Sequence, residues 1–142
     1  MLFDSSVYID YLRSGNSSVF ADRMRASNGN RGQPVYVSSV VLAELYAGAT
    51  DPKEKKLIGG LEKQFQSIGR LLVPNQSDWS AAGQVLAKIG LNHGFEMVKR
   101  SRMTNDCLIA MSARRLGLIV VTHNAKDFRI ISELRPFEFE EI

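Results

Sequence analysis

Residues 118–128 read Leu-Ile-Val-Val-Thr-His-Asn-Ala-Lys-Asp-Phe, and this stretch decides the fold class. Its first four residues are apolar without a break, which is typical of a strand buried on both faces within a parallel sheet. Polar residues follow directly, at Thr122 and Asn124, and they lead toward a helix start near Asp127. A buried strand that runs through a polar turn into a helix predicts an α/β protein.

The same alternation extends outward along the whole chain. Apolar runs rich in β-branched residues occur at 1–3, 35–37, 70–73, 118–122 and 136–139, with helix-like segments between them. Asp51 suits a helix N-cap because proline follows it, Ser77 suits another N-cap, and Gly117 suits a helix end. This order of elements predicts a mainly parallel sheet flanked by helices.

Length and composition favour one compact domain. The chain has 142 residues, of which 44% are hydrophobic, so residues 1–142 can bury one core and leave little for a second. No apolar stretch is long enough to cross a membrane, and the N-terminus lacks the basic segment of a signal peptide, so a cytoplasmic protein is expected. The single cysteine, Cys107, excludes an internal disulfide, and its apolar neighbours predict a buried free thiol.

Four acidic residues stand where apolar runs meet polar turns or helix starts, namely Asp4, Glu44, Asp106 and Asp127. Carboxylates gathered from distant segments repel one another unless a cation lies between them, and their oxygens suit Mg²⁺ or Mn²⁺. Asp4 and Asp127 both follow predicted strands, at the sheet edge where parallel sheets form their ligand crevice. The set therefore predicts a divalent-metal site of the kind that cleaves phosphodiesters.

Three of the four acids, taken alone, also fit an ordinary structural role. Asp4 suits a helix cap, Asp106 suits the first turn of a helix, and Asp127 suits a turn. Glu44 is different because apolar residues surround it in the sequence, and a buried charge without a partner is costly. A cation is the partner that would lower this cost.

The basic residues favour a polyanion once these four acids are set aside. The chain has 18 Lys and Arg and 15 Asp and Glu, so 11 acids remain outside the site and the balance there is +7. Such a surface favours nucleic acid. Lys99, Arg100 and Arg102 lie in a predicted loop over residues 92–103, where they suit phosphate contacts or solvation equally well. Residues 28–32 form a second predicted loop.

The polar residues near the predicted crevice also have two interpretations. Thr122 and Asn124 suit contacts with phosphate or metal-bound water, and they equally suit local backbone hydrogen bonds. His123 is expected to project away from both, because side chains alternate along an extended chain. His93 has no neighbouring ligand in the sequence, so no pair of catalytic histidines is predicted.

Four segments carry a family resemblance, and they occur in the family's order over nearly the whole chain. They are residues 4–10 (Asp-Ser-Ser-Val-Tyr-Ile-Asp), 44–49 (Glu-Leu-Tyr-Ala-Gly-Ala), 105–110 (Asn-Asp-Cys-Leu-Ile-Ala) and 122–128 (Thr-His-Asn-Ala-Lys-Asp-Phe). Together they resemble the motifs of PIN-domain nucleases, specifically the VapC toxins of bacterial toxin–antitoxin pairs. The resemblance implies a single PIN domain with a five-stranded parallel sheet flanked by helices.

The resemblance also implies an activity and partners. It implies an Mg²⁺- or Mn²⁺-dependent endoribonuclease that forms a homodimer and is inhibited by a separately encoded antitoxin, whose peptide enters the active groove. By position, the acidic quartet of the family corresponds to Asp4, Glu44, Asp106 and Asp127. The supporting polar positions correspond to Ser5, Thr122 and Asn124. The segment before the third acid favours RNA contacts by Lys99, Arg100 and Arg102.

Two other functions stay open on the sequence. Phosphoryl transfer through an aspartyl nucleophile expects a second acid two residues after the first, and Ser6 stands there instead. A catalytically silent PIN module that binds RNA or an antitoxin is disfavoured by the intact acidic quartet. Dependence on a divalent ion distinguishes these functions, since a silent module would bind RNA equally well with or without it.

Overall fold

The computed structural model of the protein describes residues 1–14, 19–27 and 32–142. Within these residues the strands are Leu2–Phe3 (β1), Val37–Ser38 (β2), Leu71–Leu72 (β3), Val120–Thr122 (β4) and Phe139–Glu141 (β5). The helices are Ser5–Ser14 (α1), Val19–Ser27 (α2), Ser39–Gly48 (α3), Pro52–Ser67 (α4), Gln76–His93 (α5), Phe95–Val98 (α6), Ser101–Leu116 (α7) and Lys126–Leu134 (α8). Of the predicted loop over 28–32, residues 28–31 lie outside the described residues.

The main sheet consists of β1, β4 and β5, all parallel, with β4 in the centre. Strands β2 and β3 form a separate parallel pair. A single parallel bridge between Leu2 and Tyr36 connects the two sheets. The predicted α/β fold with parallel strands is confirmed, but the prediction of five strands in one sheet is wrong, because the main sheet has three strands in the described part of the chain.

Short strands explain why the sheet divides. Strand β1 ends at Phe3 because α1 begins at Ser5. Strand β2 ends at Ser38, whose side chain caps α3 by accepting a hydrogen bond from the backbone N–H of Val40 at 3.1 Å. Neither strand therefore continues far enough beside the other to form a ladder.

The order of the strands creates a crevice between β1 and β4. After β1 the chain moves to β2 on one side, whereas β4 and β5 lie on the other side. Ligands bind parallel sheets outside the carboxyl ends of the strands where the order reverses in this way. The register pairs Phe3 with Val121, and the backbone N–H of Asp4 donates to the carbonyl oxygen of Val121 at 2.9 Å. Asp4 is thereby placed at the mouth of the crevice.

Two of the predicted helix ends are confirmed and one is wrong. Asp51 caps α4 by accepting from the backbone N–H of Glu54 at 2.8 Å. Gly117 ends α7 with a φ of 63°, in the left-handed region that favours glycine. Ser77 lies inside α5, whose N-cap is Asn75 in a reciprocal capping box with Asp78.

The predicted loop over residues 92–103 is also wrong, because the chain forms α6 there and starts α7 at Ser101. Starting α7 earlier changes the position of Asp106, which lies in the second turn rather than the first. The favourable field of a helix N-terminus falls off within the first turn. Asp106 therefore receives little stabilisation from the helix that carries it.

Helix α7 buries more residues than any other helix in the described part of the chain. All eight residues from Asp106 to Ala113 are buried, and among them Cys107 is a free thiol, as predicted. A bidentate ion pair between the buried Asp78 and the partly exposed Arg115 joins α5 to the end of α7, with a shortest N–O distance of 2.9 Å. No helix within the described residues is long and apolar enough to span a membrane.

Candidate active site

An open groove of ≈ 860 Å³ lies at the carboxyl edge of the main sheet. Its walls come from α1, α3, the start of α7 and the residues just after β4. Glu44 lines the groove directly, whereas Asp4 and Asp106 are only 2% and 3% exposed. Asp4 and Asp106 are therefore buried, whereas Glu44 forms part of the groove wall.

Asp4 follows β1 and is held by hydroxyl groups. Ser6 Oγ and Thr122 Oγ1 each donate to Asp4 Oδ2 at 2.9 Å, and Ser5 Oγ donates to Oδ1 at a longer 3.4 Å. Uncharged donors orient a carboxylate without cancelling its negative charge. The side chain of Asp4 is thus fixed in position while its charge stays available to a cation.

Glu44 lies on α3 and is half-buried, as its apolar sequence neighbours predict. Its Oε1 accepts a hydrogen bond from Asn105 Nδ2 at 2.8 Å. Its Oε2 is buried and has no hydrogen-bond partner among the described residues. An unpartnered buried carboxylate oxygen is costly, so this atom is a natural ligand for a positive ion.

Asp106 is the electrostatic centre of the site. Burial, the negative charge of Asp4, and then those of Asp127 and Glu44 raise the pKa of Asp106 to about 8 against the lowering effect of Arg102. Arg102 Nε lies 4.0 Å from Asp106 Oδ2, and its side chain is 56% exposed. One largely solvated arginine does not offset three carboxylates.

Asp127 is half-buried in the first turn of α8. Its charge acts on Asp106, as stated above. All four predicted acids therefore belong to one electrostatic neighbourhood, although they come from β1–α1, α3, α7 and α8.

The donor set of this neighbourhood fits a hard divalent cation. It offers carboxylate oxygens from four elements and the unpartnered Oε2 of Glu44. Within the described ranges, however, no three His, Cys, Asp or Glu side chains already form a cluster that could enclose a metal ion. Like charges repel, so a cation would have to draw these oxygen atoms closer together.

The predicted supporting residues lie at the groove with different roles. Thr122 is buried and, besides donating to Asp4, accepts from the backbone N–H of Asn124 at 3.0 Å. Ser5 and Asn124 line the groove. His123 also lines it, although alternation predicted otherwise, because β4 ends at Thr122 and the chain is no longer an extended strand there.

The three predicted RNA-binding residues are not equivalent. Arg102 lines the groove. Lys99 is exposed and forms an ion pair with Glu96 at 3.0 Å, and neither Lys99 nor Arg100 lines the groove. Of the three, Arg102 alone is placed to meet a phosphate beside the acids.

Comparison with known proteins identifies the fold family. The family model described as PIN domain matches residues 1–134. The chain belongs to the PIN-domain family. Strand β5 lies beyond the matched residues and pairs with β4, so the C-terminal residues complete the same sheet. No functionally curated protein shows a significant sequence match.

Solved structures with the same fold include VapBC complexes, one of them a member of the VapBC family of toxin–antitoxin systems. A DNA-bound VapBC complex from Salmonella typhimurium is 21% identical, with a TM-score of 0.70 over 99% of this PIN domain and 96% of that chain. VapBC2 from Rickettsia felis, bound to a promoter DNA fragment, is 19% identical, with a TM-score of 0.67 over 99% and 97% of the two chains. VapBC-5 from Mycobacterium tuberculosis is 20% identical, with a TM-score of 0.56 and the same coverage. At these identities the likeness is one of fold.

Sequence reasoning missed three residues of the PIN domain groove. Ser6 donates to Asp4 and accepts from the backbone N–H of His123 at 3.1 Å. Asn105 holds Glu44, and Arg13 lines the groove from α1 with no ion-pair partner among the described residues. The signal for Ser6 was available, since it lies two residues after Asp4 in the same motif. Nothing in the sequence relates Asn105 to a residue 61 positions earlier.

The raised pKa of Asp106 predicts how pH affects the metal-free PIN domain. The carboxyl group of Asp106 has its ordinary pKa of 3.8 in the unfolded chain and a pKa of about 8 in the folded protein. Between these pH values the folded state keeps a proton that the unfolded state releases. Asp106 therefore lowers the free energy of unfolding as pH rises through this window. We compare the free energy of unfolding of Asp106→Asn with that of wild type at each pH. The difference in favour of the variant should be about 1–3 kcal/mol larger at pH 8 than at pH 5.

Urea unfolding in EDTA at the two pH values measures this difference. Glu133→Gln, which replaces an exposed acid of α8, is the matched control and should follow the wild-type pH dependence. If the free energy of unfolding changes with pH by the same amount in wild type and Asp106→Asn, the pKa of Asp106 is not raised in the folded protein.

Proposed function

We propose that this PIN domain is a divalent-metal-dependent endoribonuclease, and that it acts in the cytoplasm as the toxin of a toxin–antitoxin pair. The observation that carries the proposal is the buried Asp106 carboxyl group among three other acids at an open groove, with one unpartnered oxygen of Glu44. Such an excess of negative charge is unfavourable by itself and becomes useful when a cation binds. Phosphodiester hydrolysis is the chemistry that this donor set serves.

The proposed ligands of Mg²⁺ or Mn²⁺ are Asp4, Glu44, Asp106 and Asp127. The ion would supply activated water and neutralise charge on the phosphate. Ser6 and Thr122 hold Asp4 in place through their hydroxyl groups. Asp4 and Asp106 would be the principal ligands, and Glu44 and Asp127 would, besides binding the ion, orient water or accept its proton. Ser5 and Asn124 are placed to contact the substrate from the groove wall.

The substrate and partners follow from charge and fold. The groove has Arg13 on one wall and Arg102 on another, which suits a strand of RNA crossing the acidic centre by its phosphates. The likeness to VapBC complexes supports a separately encoded antitoxin as a partner. The proposal adds that a peptide of this antitoxin enters the groove and that the toxin is a homodimer. Residues 1–142 would form the PIN domain of that toxin.

Metal binding is tested directly by titration. Asp4→Asn and Asp106→Asn should each weaken Mn²⁺ binding at least tenfold, because each removes a charged oxygen ligand at the centre of the site. Calorimetric titration of the purified proteins at pH 8 gives the affinities, with Glu133→Gln as a control that keeps the wild-type value. Unchanged Mn²⁺ affinity in both aspartate variants would rule out their role as ligands.

The reaction is tested by its products. Attack by water, rather than by the 2′-hydroxyl of the RNA, leaves 5′-phosphate and 3′-hydroxyl ends, and it tolerates a 2′-deoxy sugar at the scissile nucleotide. End-group analysis of a single-site cut with Mg²⁺ reads this out, with an EDTA control. Cyclic 2′,3′-phosphate ends, cutting in EDTA, or complete dependence on the 2′-hydroxyl would each overturn the mechanism. A protein that binds RNA equally well with and without Mg²⁺ but never cuts it would be the silent module.

The basic residues are tested by the salt dependence of RNA binding. Replacing Lys99, Arg100 and Arg102 together by alanine should weaken binding to all RNA sequences and flatten its dependence on salt. Arg102→Ala alone should account for most of the change, lowering the slope by about 0.7 for one lost phosphate contact. Lys99→Ala is the matched control, since Lys99 pairs with Glu96 outside the groove. An unchanged slope in the triple variant would show that all three are only solvated.

A further inference from the structure

Asn105 connects α3, which carries Glu44, to α7, which carries Asp106. It lies on α7 beside Asp106, is half-buried and lines the groove. Its Nδ2 donates to Glu44 Oε1 on α3 at 2.8 Å. The same side chain therefore touches the groove and fixes one of the four acids.

Chemistry sets the orientation of this amide. A carboxylate accepts hydrogen bonds and an amide oxygen cannot donate one, so only the NH₂ group of Asn105 can face Glu44. With Oε1 held in this way, the carboxylate plane of Glu44 is fixed and Oε2 stays buried without a partner among the described residues. A free Glu44 side chain could instead rotate this oxygen into the solvent of the groove and gain hydrogen bonds to water.

The absence of charge on the Asn105 side chain is as important as its hydrogen bond to Glu44. A lysine or arginine at this position would also hold Glu44, but it would cancel the negative charge that attracts a cation. An amide orients the carboxylate and leaves its charge intact. Residues that orient metal ligands through such hydrogen bonds change metal affinity by about 10–100-fold when they are replaced.

We propose that Asn105 is a positioning residue, which holds the Glu44 carboxylate so that its second oxygen is presented to a divalent cation. The inference rests on the proposed metal-dependent function and adds to it a residue outside the acidic quartet. Asn105 acts through Glu44 and does not itself bind the ion. Its replacement should therefore reduce Mn²⁺ affinity without changing metal-free RNA binding.

The experiment measures Mn²⁺ affinity by calorimetry for wild type, Asn105→Ala, Glu44→Gln and the double variant. Asn105→Ala should bind Mn²⁺ at least tenfold more weakly than wild type. The double variant should bind no more weakly than Glu44→Gln alone, because Asn105 has nothing left to position. RNA affinity in EDTA should be the same for wild type and Asn105→Ala. Asn92→Ala, at an exposed position of α5, is the matched control and should bind Mn²⁺ as wild type does.

The outcomes separate this inference from the proposed function. Wild-type protein that fails to bind Mn²⁺ would overturn the proposed function, and the role of Asn105 with it. Two outcomes would overturn the role of Asn105 and leave the proposed function standing. In both, wild type binds Mn²⁺, and either Asn105→Ala binds it equally well or the losses of the two single variants add in the double variant. Should Asn105→Ala fail to fold, Asn105→Leu replaces it, since leucine keeps the shape of asparagine and lacks the donor. Weaker RNA binding in EDTA would make Asn105 a substrate contact and would also overturn the proposal.

Discussion

The parallel pairing of β1 with β4 is the constraint on which the site depends. The two strands are far apart in the chain, and their register sets Phe3 beside Val121. One residue further on, Asp4 meets the hydroxyl group of Thr122. A shift of one residue would turn every side chain of β1 to the opposite face and separate the pair. The buried apolar residues that fix this register therefore also fix the chemistry of the groove.

Helix α7 has to satisfy two opposing demands. It is buried for packing, and it carries Asp106, whose carboxyl group burial makes harder to ionise. Burying an apolar side chain such as Ile109 contributes about 1.5–3 kcal/mol, and α7 buries several. The packing of the helix thus offsets the unfavourable electrostatics of one of its residues. Functional sites commonly hold such local cost within a structure that is stable elsewhere.

Local patterns in the sequence predicted the α/β class, the parallel strands and the cap at Asp51, because strand burial and helix caps depend on neighbouring residues. The division of the sheet was missed, since it depends on how soon helices interrupt β1 and β2. Helix α6 was missed because basic residues around Arg100 suggested a solvated loop. The proximity of the four acids could be predicted from motifs. The hydrogen bond between Asn105 and Glu44 could not, because it exists only after α3 and α7 pack together.

The single thiol of the chain gives the molecule an internal reporter. Cys107 follows Asp106 directly, and burial, with the nearby carboxylates of Asp106 and Asp127, raises the pKa of its thiol to about 12. Alkylating reagents react with the thiolate, so they have almost nothing to attack while α7 stays packed. Each labelling event would then record an opening of the helix that carries the active-site acid. The rate of a simple chemical modification would measure how often α7 separates from the rest of the core.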